Sequence, residues 1–305
     1  MKFSILLSLT PTFLFIVSTF ANGETLYSGK VTEVTLSNLI PTQPSIGYDQ
    51  VYYKLGRYQQ DSKKKFDEIC EANGQKGLAY FNKNSTPNDV TSYQCDEPVG
   101  SRIKDMKTFV IAPNGHYYLI DGHHTLNAFW HMEDGGEQFK INVVVAKDYR
   151  NLTNMSQFWS AMIADGNTWL RNSKGNTISY KALPTSLGME HFDNDKYRSL
   201  MYFSQGIGWD KPATPVPFLE FYWSLELRKD INLDKYDLTS KDGYRQAVSD
   251  VSHYLVAMKS DNVGGSRKST KEMGQLSSFN EKSLDKLFDA KKGKATIMLQ
   301  YKKDL

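Results

Sequence analysis

The chain has 305 residues, with 37 Lys or Arg against 34 Asp or Glu and a net charge of +3. So small an imbalance argues against a protein whose whole surface grips nucleic acid, and two cysteines alone leave a zinc ion short of ligands. The length suits one large domain or a domain with a substantial extension.

The first 23 residues read as a separate element. Lys2 gives a short basic start, and Phe3 to Phe20 is an apolar run broken by Ser, Thr and Pro11. Thr19-Phe20-Ala21-Asn22-Gly23 then supplies small residues near a plausible cut. This is the pattern of a secretory signal that is removed from the mature chain. An uncleaved anchor is the alternative, since the run is nearly long enough to span a bilayer; Pro11, the interspersed hydroxyls and the small-residue exit favour cleavage. Loss of Lys2 leaves 36 basic and 34 acidic residues, a net charge of +2. No later segment approaches transmembrane length, so the mature protein is expected to be secreted, or periplasmic in a bacterium, and free of the membrane. In such a compartment Cys70 and Cys95 are expected to pair, which stabilises by about 3–4 kcal/mol in the chain-entropy account. Asn84, Asn151 and Asn154 open Asn-X-Ser/Thr sequons that a eukaryotic secretory route would glycosylate.

Along the mature chain, Lys30 to Leu39 alternates with Val31, Val34 and Leu36 as a strand does, and Pro41 and Pro44 forbid a regular element just after it. The spacing predicts a helix over 48–58 with Val51, Tyr52 and Leu55 inward and Lys54 and Arg57 on its more polar side. Residues 59–107 are polar, rich in turn formers and hold both cysteines, and are expected to form a stapled excursion. Phe109-Val110-Ile111, a Pro113-Asn114-Gly115 turn and the run from His116 to Ile120 make a hairpin, because Asn-Gly supplies the positive φ that a tight turn demands. Leu126, Phe129 and Trp130 recur at i, i+3 and i+4 and predict a helix behind it. A strand follows over 138–146. Met155, Phe158, Trp159, Met162 and Ile163 then mark an amphipathic helix. A second apolar helix over 217–229 carries the stripe Phe218, Phe221, Tyr222 and Leu225, read as core packing, and another helix is expected over 244–258. From Met258 to Leu305 there are 11 basic and 6 acidic residues, an excess of +5, read as a solvated, partly flexible tail.

The richest stretch is the corner Asp121-Gly122-His123-His124-Thr125 between the hairpin and its helix. A glycine, two imidazoles and a hydroxyl there surround the free N–H groups of a helix start, where an anion can sit. Asp121 is a candidate to orient an imidazole or to act as general base, and the histidines to donate to an anion, to exchange protons near neutral pH or to bind a metal. Lys54 and Arg57 are the nearest basic candidates from outside. The bland alternative is a common Asp-Gly turn with Thr125 as a cap and the histidines satisfying helix N–H groups. His116, His131, His191 and His253 read as exposed or structural. Asp195, Arg198, Glu220 and Arg228 read as helix caps and ion pairs rather than a second site, and Asp165-Gly166-Asn167 as a turn after a helix.

The corner, through Ala128, resembles the ParB/sulfiredoxin superfamily, whose equivalent boxes are Gly-Glu-Arg-Arg and Gly-Cys-His-Arg; Gly122, His124 and Ala128 match one or both. The closer resemblance is to the uncharacterised ParB-like nuclease family, in which the strand ends Ile-Asp before histidines. Its other landmarks stand in order at Pro41-Thr42-Gln43, Gly47-Tyr48, Lys54, Phe158-Trp159, Asp195 to Leu200, Pro217-Phe218, Glu220-Phe221, Trp223 and Leu227-Arg228. The resemblance covers about residues 31–230. It implies an α/β (α+β) fold: a ParB/sulfiredoxin-like core of a small mixed sheet with helices over 24–150, interrupted by the insertion at 59–107. A mainly helical extension over 151–258 and the basic region 259–305 follow. It also implies a phosphate cradle at Gly122 and Thr125 with Lys54 and Arg57, and chemistry at Asp121, His123 and His124 on a nucleic acid or another phosphate-containing molecule, with or without a divalent ion. A non-catalytic anion-binding protein of the same fold is the alternative. Thr125 stands where the relatives place an arginine, which removes the strongest fixed phosphate donor. His123 replaces the sulfiredoxin cysteine, and neither the ParB helix-turn-helix nor its dimerisation tail is present.

Overall fold

The computed structural model describes residues 26–305, so the signal expected over 1–23 lies outside the described residues. In chain order come β1 (Val31–Thr35), β2 (Leu39–Pro41), β3 (Ser45–Ile46), α1 (Tyr48–Gln60), α2 (Ser62–Ala72), β4 (Leu78–Tyr80) and β5 (Gln94–Cys95). They are followed by β6 (Thr108–Ile111), β7 (Tyr117–Leu119), α3 (His123–His131), β8 (Lys140–Asp148), α4 (Met155–Ala164), β9 (Asp193–Asn194) and α5 (Lys196–Ser204). The chain closes with α6 (Leu219–Asp230), α7 (Lys241–Ala257), α8 (Glu281–Leu287) and α9 (Lys294–Lys303).

Five strands form one mixed sheet in the order β1-β8-β6-β7-β2. The predicted hairpin is its centre: β6 and β7 run antiparallel with Phe109 opposite Leu119, and Gly115 closes the turn at φ 82°. Side chains alternate across the sheet as strands require. Phe109, Ile111, Leu119, Ile141 and Val143 face one core together with Leu126 and Phe129 of α3 and Val51 and Leu55 of α1. Val110 and Tyr118 face the other side, where α4 lays Phe158, Trp159 and Met162. Ile163, expected inward, is 55% exposed because one further residue turns it away from the sheet.

The insertion is more regular than its composition suggested. Asp61 caps α2 by accepting from the Lys63 N–H, and the helix buries Phe66, Ile69 and Cys70. The run Lys63-Lys64-Lys65 hides that apolar face in the sequence. Cys70 and Cys95 are bridged with their Cα atoms 5.6 Å apart, which ties α2 to the short β4–β5 ribbon. Asn84, Asn151 and Asn154 are all exposed.

A second core gathers α5 to α9, around Trp209, Trp223, Tyr244 and Met298. Helix α6 starts at Leu219 and buries Phe221, Trp223 and Leu227, so the stripe expected from Phe218, Tyr222 and Leu225 is displaced. Trp223 is drawn inward by a hydrogen bond from its indole N–H to the Met273 carbonyl. The solvated-tail reading of 259–305 is corrected: α9 buries Ala295, Ile297, Met298 and Leu299. It can lie tightly on α1 because position 56 is glycine, where a Cβ would come 3.0 Å from Ile297 and Tyr301. Buried Asp49 on α1 then accepts hydrogen bonds from Lys302 Nζ at 2.9 Å and Tyr244 Oη at 3.0 Å, joining three helices. Among the described residues no helix is long and apolar enough to cross a membrane. Met298→Ala is expected to lower unfolding stability by about 2–5 kcal/mol, as for other buried methionines, measured by urea denaturation; a solvated tail would show a change under about 0.5 kcal/mol.

Candidate functional site

The corner opens on a cleft of about 740 Å³. Its floor is the start of α3. Gly122 holds φ 100°, a conformation open to glycine, and a Cβ there would meet the Lys107 side chain at 2.7 Å. Among the described residues no side chain caps the first turn, and the Leu126 N–H is bonded to the Gly122 carbonyl. The amides ahead of Leu126, with the positive end of the helix dipole, therefore face the cleft. Thr125, expected as a cap or donor, lines the cleft without capping the helix.

The two histidines point inward. His123 is 3% exposed and its Nε2 accepts the Thr42 N–H at 3.2 Å; His124 is 9% exposed and its Nε2 accepts the Gly47 N–H at 3.0 Å. A neutral ring that accepts at Nε2 carries its proton on Nδ1. Burial pushes the His123 pKa down to about 3. Burial again, followed by the positive charges of Arg198 and Lys54 and by coupling to the His123 ring, holds His124 well below the usual imidazole range. These rings are neutral struts between α3 and the segment 42–47, which corrects the expectation that they exchange protons near neutral pH. Adjacent Asn127, fully buried, extends the same lattice by donating to the His123 carbonyl and accepting the Gly188 N–H at 2.9 Å.

Charge enters the cleft from several other elements through Lys54, Glu68, Lys107, Arg198, Lys211 and Glu220. Lys54 lines it, but its ammonium is bonded to Glu68 of α2, which also accepts from Arg57 and from Tyr58 Oη. Burial would raise the Glu68 carboxyl, yet Lys54 and Arg57 outweigh that effect and hold its pKa below the ordinary value. Arg57 lies outside the cleft lining, its guanidinium near the Tyr53 and Tyr58 rings, so the structure does not bring this predicted donor to the corner. Lys107 lines the wall, its Nζ 4.0 Å from the Asp121 carboxylate, and the Asp121 side chain is 66% exposed.

The residue that sequence reasoning misplaced is Arg198. It does form the expected ion pair, with Nη2 3.3 Å from Glu220, and Asp195 does cap α5 by accepting the Arg198 N–H while pairing with Arg228 at 2.6 Å. It also lines the cleft beside His124. Arg198 is 5% exposed, and its Nε and Nη1 are buried and find no hydrogen-bond acceptor among the described residues. A buried guanidinium with two idle donors is costly unless something negative meets it. Arg198 thus brings a guanidinium from α5 into the cleft beside the corner. The pattern that could have found it is Asp195-Lys196-Tyr197-Arg198, where a capping aspartate places the arginine in the helix's first turn.

Three carboxylates line the cleft: Glu68, Asp121 and Glu220. The first two histidine candidates are occupied, and the described residues hold no group of three or more His, Cys, Asp or Glu placed to bind a metal ion.

A curled mixed sheet whose hairpin feeds a helix through a polar corner defines the ParB-like class. Residues 32–229 match the family described as Putative ParB-like nuclease, and the chain belongs to that family. The crystal structure of protein Atu1540 from Agrobacterium tumefaciens is similar in fold, with a TM-score of 0.52 and 20% identity over 75% of this chain and 91% of that one. No curated protein matches the sequence.

The buried rings make stability pH-dependent. Above the ordinary histidine value of 6.5 neither the folded nor the unfolded chain binds these protons. Below it the unfolded chain takes up protons that the folded rings do not, so stability is lost as pH falls, continuing to about 3 for His123. His131, lowered chiefly by burial, acts in the same direction. Urea unfolding between pH 6.5 and 5 is expected to weaken by up to about 1.4 kcal/mol per pH unit for each such ring; a flat profile there would contradict the buried neutral state.

Proposed function

We propose that the cleft binds a phosphate ester and that the protein hydrolyses it, the substrate being a nucleic acid or nucleotide. The observation that carries this reading is Arg198, buried with Nε and Nη1 unmatched beside the uncapped start of α3. An anion bridging that guanidinium and the helix amides satisfies both at once. Membership of the ParB-like nuclease family supports phosphoester hydrolysis as the chemistry. In this reading the non-bridging oxygens rest on Arg198 and the amides of the first turn, where charge develops in the transition state. Asp121 takes a proton from a water whose oxygen bonds to phosphorus; the P–O bond to the leaving group breaks, and the leaving oxygen is protonated from solvent. Lys107 adds positive charge on the same side. The histidines contribute by holding 42–47 and α3 together.

A second reading, a binding protein without turnover, is favoured by the engagement of both imidazoles at Nε2. For either reading we place the mature chain outside the cytoplasm. The Cys70–Cys95 bridge suits an oxidising compartment, and the three exposed sequons suit glycosylation where the host performs it. Purified protein is to be assayed with labelled DNA, RNA and nucleotides, with and without EDTA. Arg198→Met is expected to weaken binding at least tenfold, the scale of a lost charge-assisted contact of about 1.5–3 kcal/mol. Asp121→Asn is expected to abolish turnover while binding remains. Saturable binding without turnover in the wild type selects the second reading, and binding unaffected by Arg198→Met overturns both.

A further inference from the structure

The wall facing the cradle is aromatic, and one of its residues is held in an unusual backbone state. Phe218, at the cap position of α6, has φ 55° and ψ 26°. That left-handed region is uncommon for bulky side chains and persists only where the surroundings impose it. Inner rings impose it here: Trp169 and Phe221, both buried, stack at 5.3 Å between centroids, and Phe218 lies against them at 5.8 and 6.2 Å. Phe218 is the outer layer. It is half-buried and lines the cleft with Pro215 and Pro217. The aromatic layer also reaches the cradle directly, since the Arg198 guanidinium carbon sits 5.6 Å from the Phe221 ring. A phosphate on Arg198 therefore has a partly open aromatic face two rings away along the same wall. Packing on these inner rings holds Phe218 in place and still leaves its ring only half-buried at the cleft.

We propose that Phe218 is the specificity-determining residue, its ring stacking on a planar aromatic group of the nucleobase kind carried by the ester whose phosphate Arg198 holds. This rests on the phosphate-ester reading above. Stacking on an aromatic side chain is tolerant of base identity, so the site distinguishes aromatic from aliphatic phosphate esters and discriminates weakly among bases.

The test is isothermal titration of the intact protein with 5′-AMP, 5′-CMP, ribose 5-phosphate, inorganic phosphate and a short single-stranded oligonucleotide. The wild type is expected to bind both nucleotides about tenfold or more tightly than ribose 5-phosphate, the range expected for one stacked base. Phe218→Gly, which accepts φ 55° without strain, is expected to bring 5′-AMP down to the affinity of ribose 5-phosphate, and Phe218→Tyr to restore the difference. Thermal melting of the glycine variant shows that the fold is kept. The oligonucleotide arm separates a free nucleotide from a nucleotide within a strand; tight binding of either supports the ring's role. If ribose 5-phosphate binds and 5′-AMP binds no better, or if the preference survives Phe218→Gly in a folded protein, the role of Phe218 is overturned while the phosphate reading stands. If no phosphate compound binds the wild type, the phosphate reading falls and this inference with it.

Discussion

Two hydrogen bonds from backbone amides to buried imidazoles hold the site together. The Thr42 and Gly47 N–H groups donate to His123 and His124, and the same short segment is anchored again where Thr42 Oγ1 donates to the Leu119 carbonyl at 2.6 Å. The Thr42 carbonyl in turn accepts from the Trp169 N–H at 2.9 Å and from Thr168 Oγ1 at 2.8 Å. Thr42 and Gly47 stand just past the ends of β2 and β3, so their amides find acceptors outside the strand pairing. Imidazole nitrogens at the start of α3 supply them. The arrangement works only while the rings are neutral, because a protonated Nε2 donates and cannot accept.

From that constraint the electrostatics of the cleft follow. The rings stay neutral because they are buried and because Arg198 and Lys54 stand near His124. Neutral rings leave the first turn of α3 uncapped by side chains, and Asn127 fixes the helix from its inner face. Glu68 balances Lys54 and Arg57 from α2, so the positive charge left to act on a ligand comes from Arg198, Lys107 and Lys211. An anion bound there would oppose the positive charges that depress His124, so binding and the protonation of that ring are linked.

Much of the core was readable because its elements make local patterns. Asn114-Gly115 between β-branched and aromatic residues marks the hairpin, and the recurrence of Leu126 and Phe129 marks α3. The resemblance of Gly122, His124 and Ala128 to the ParB corner located the cleft's floor. Other elements were obscured by charge. Three consecutive lysines mask the apolar face of α2, and the basic excess of the last 48 residues masks α9, whose stability comes from Gly56, Asp49 and the helices it covers. Helix α6 is enclosed on several sides, so a single-stripe pattern misassigned Trp223 and Leu227. Arg198 and Glu220 were legible as an ion pair, but the direction in which the guanidinium's remaining donors face is set by the placement of α5 against α3, which no local spacing encodes. The lysine and arginine of α1 posed the opposite problem: Lys54 and Arg57 look polar and free until α2 brings Glu68 onto them.

The central claim is that α5 and α3 together build one anion cradle. A crystal structure of the protein soaked with a phosphate ester tests it most directly. The account predicts the phosphate in the cleft, in contact with Arg198 Nε or Nη1 and with amides between Gly122 and Thr125, with both imidazoles still accepting from Thr42 and Gly47. Phosphate bound elsewhere at saturating concentration, with Arg198 unchanged and the cleft without the ligand, would contradict it.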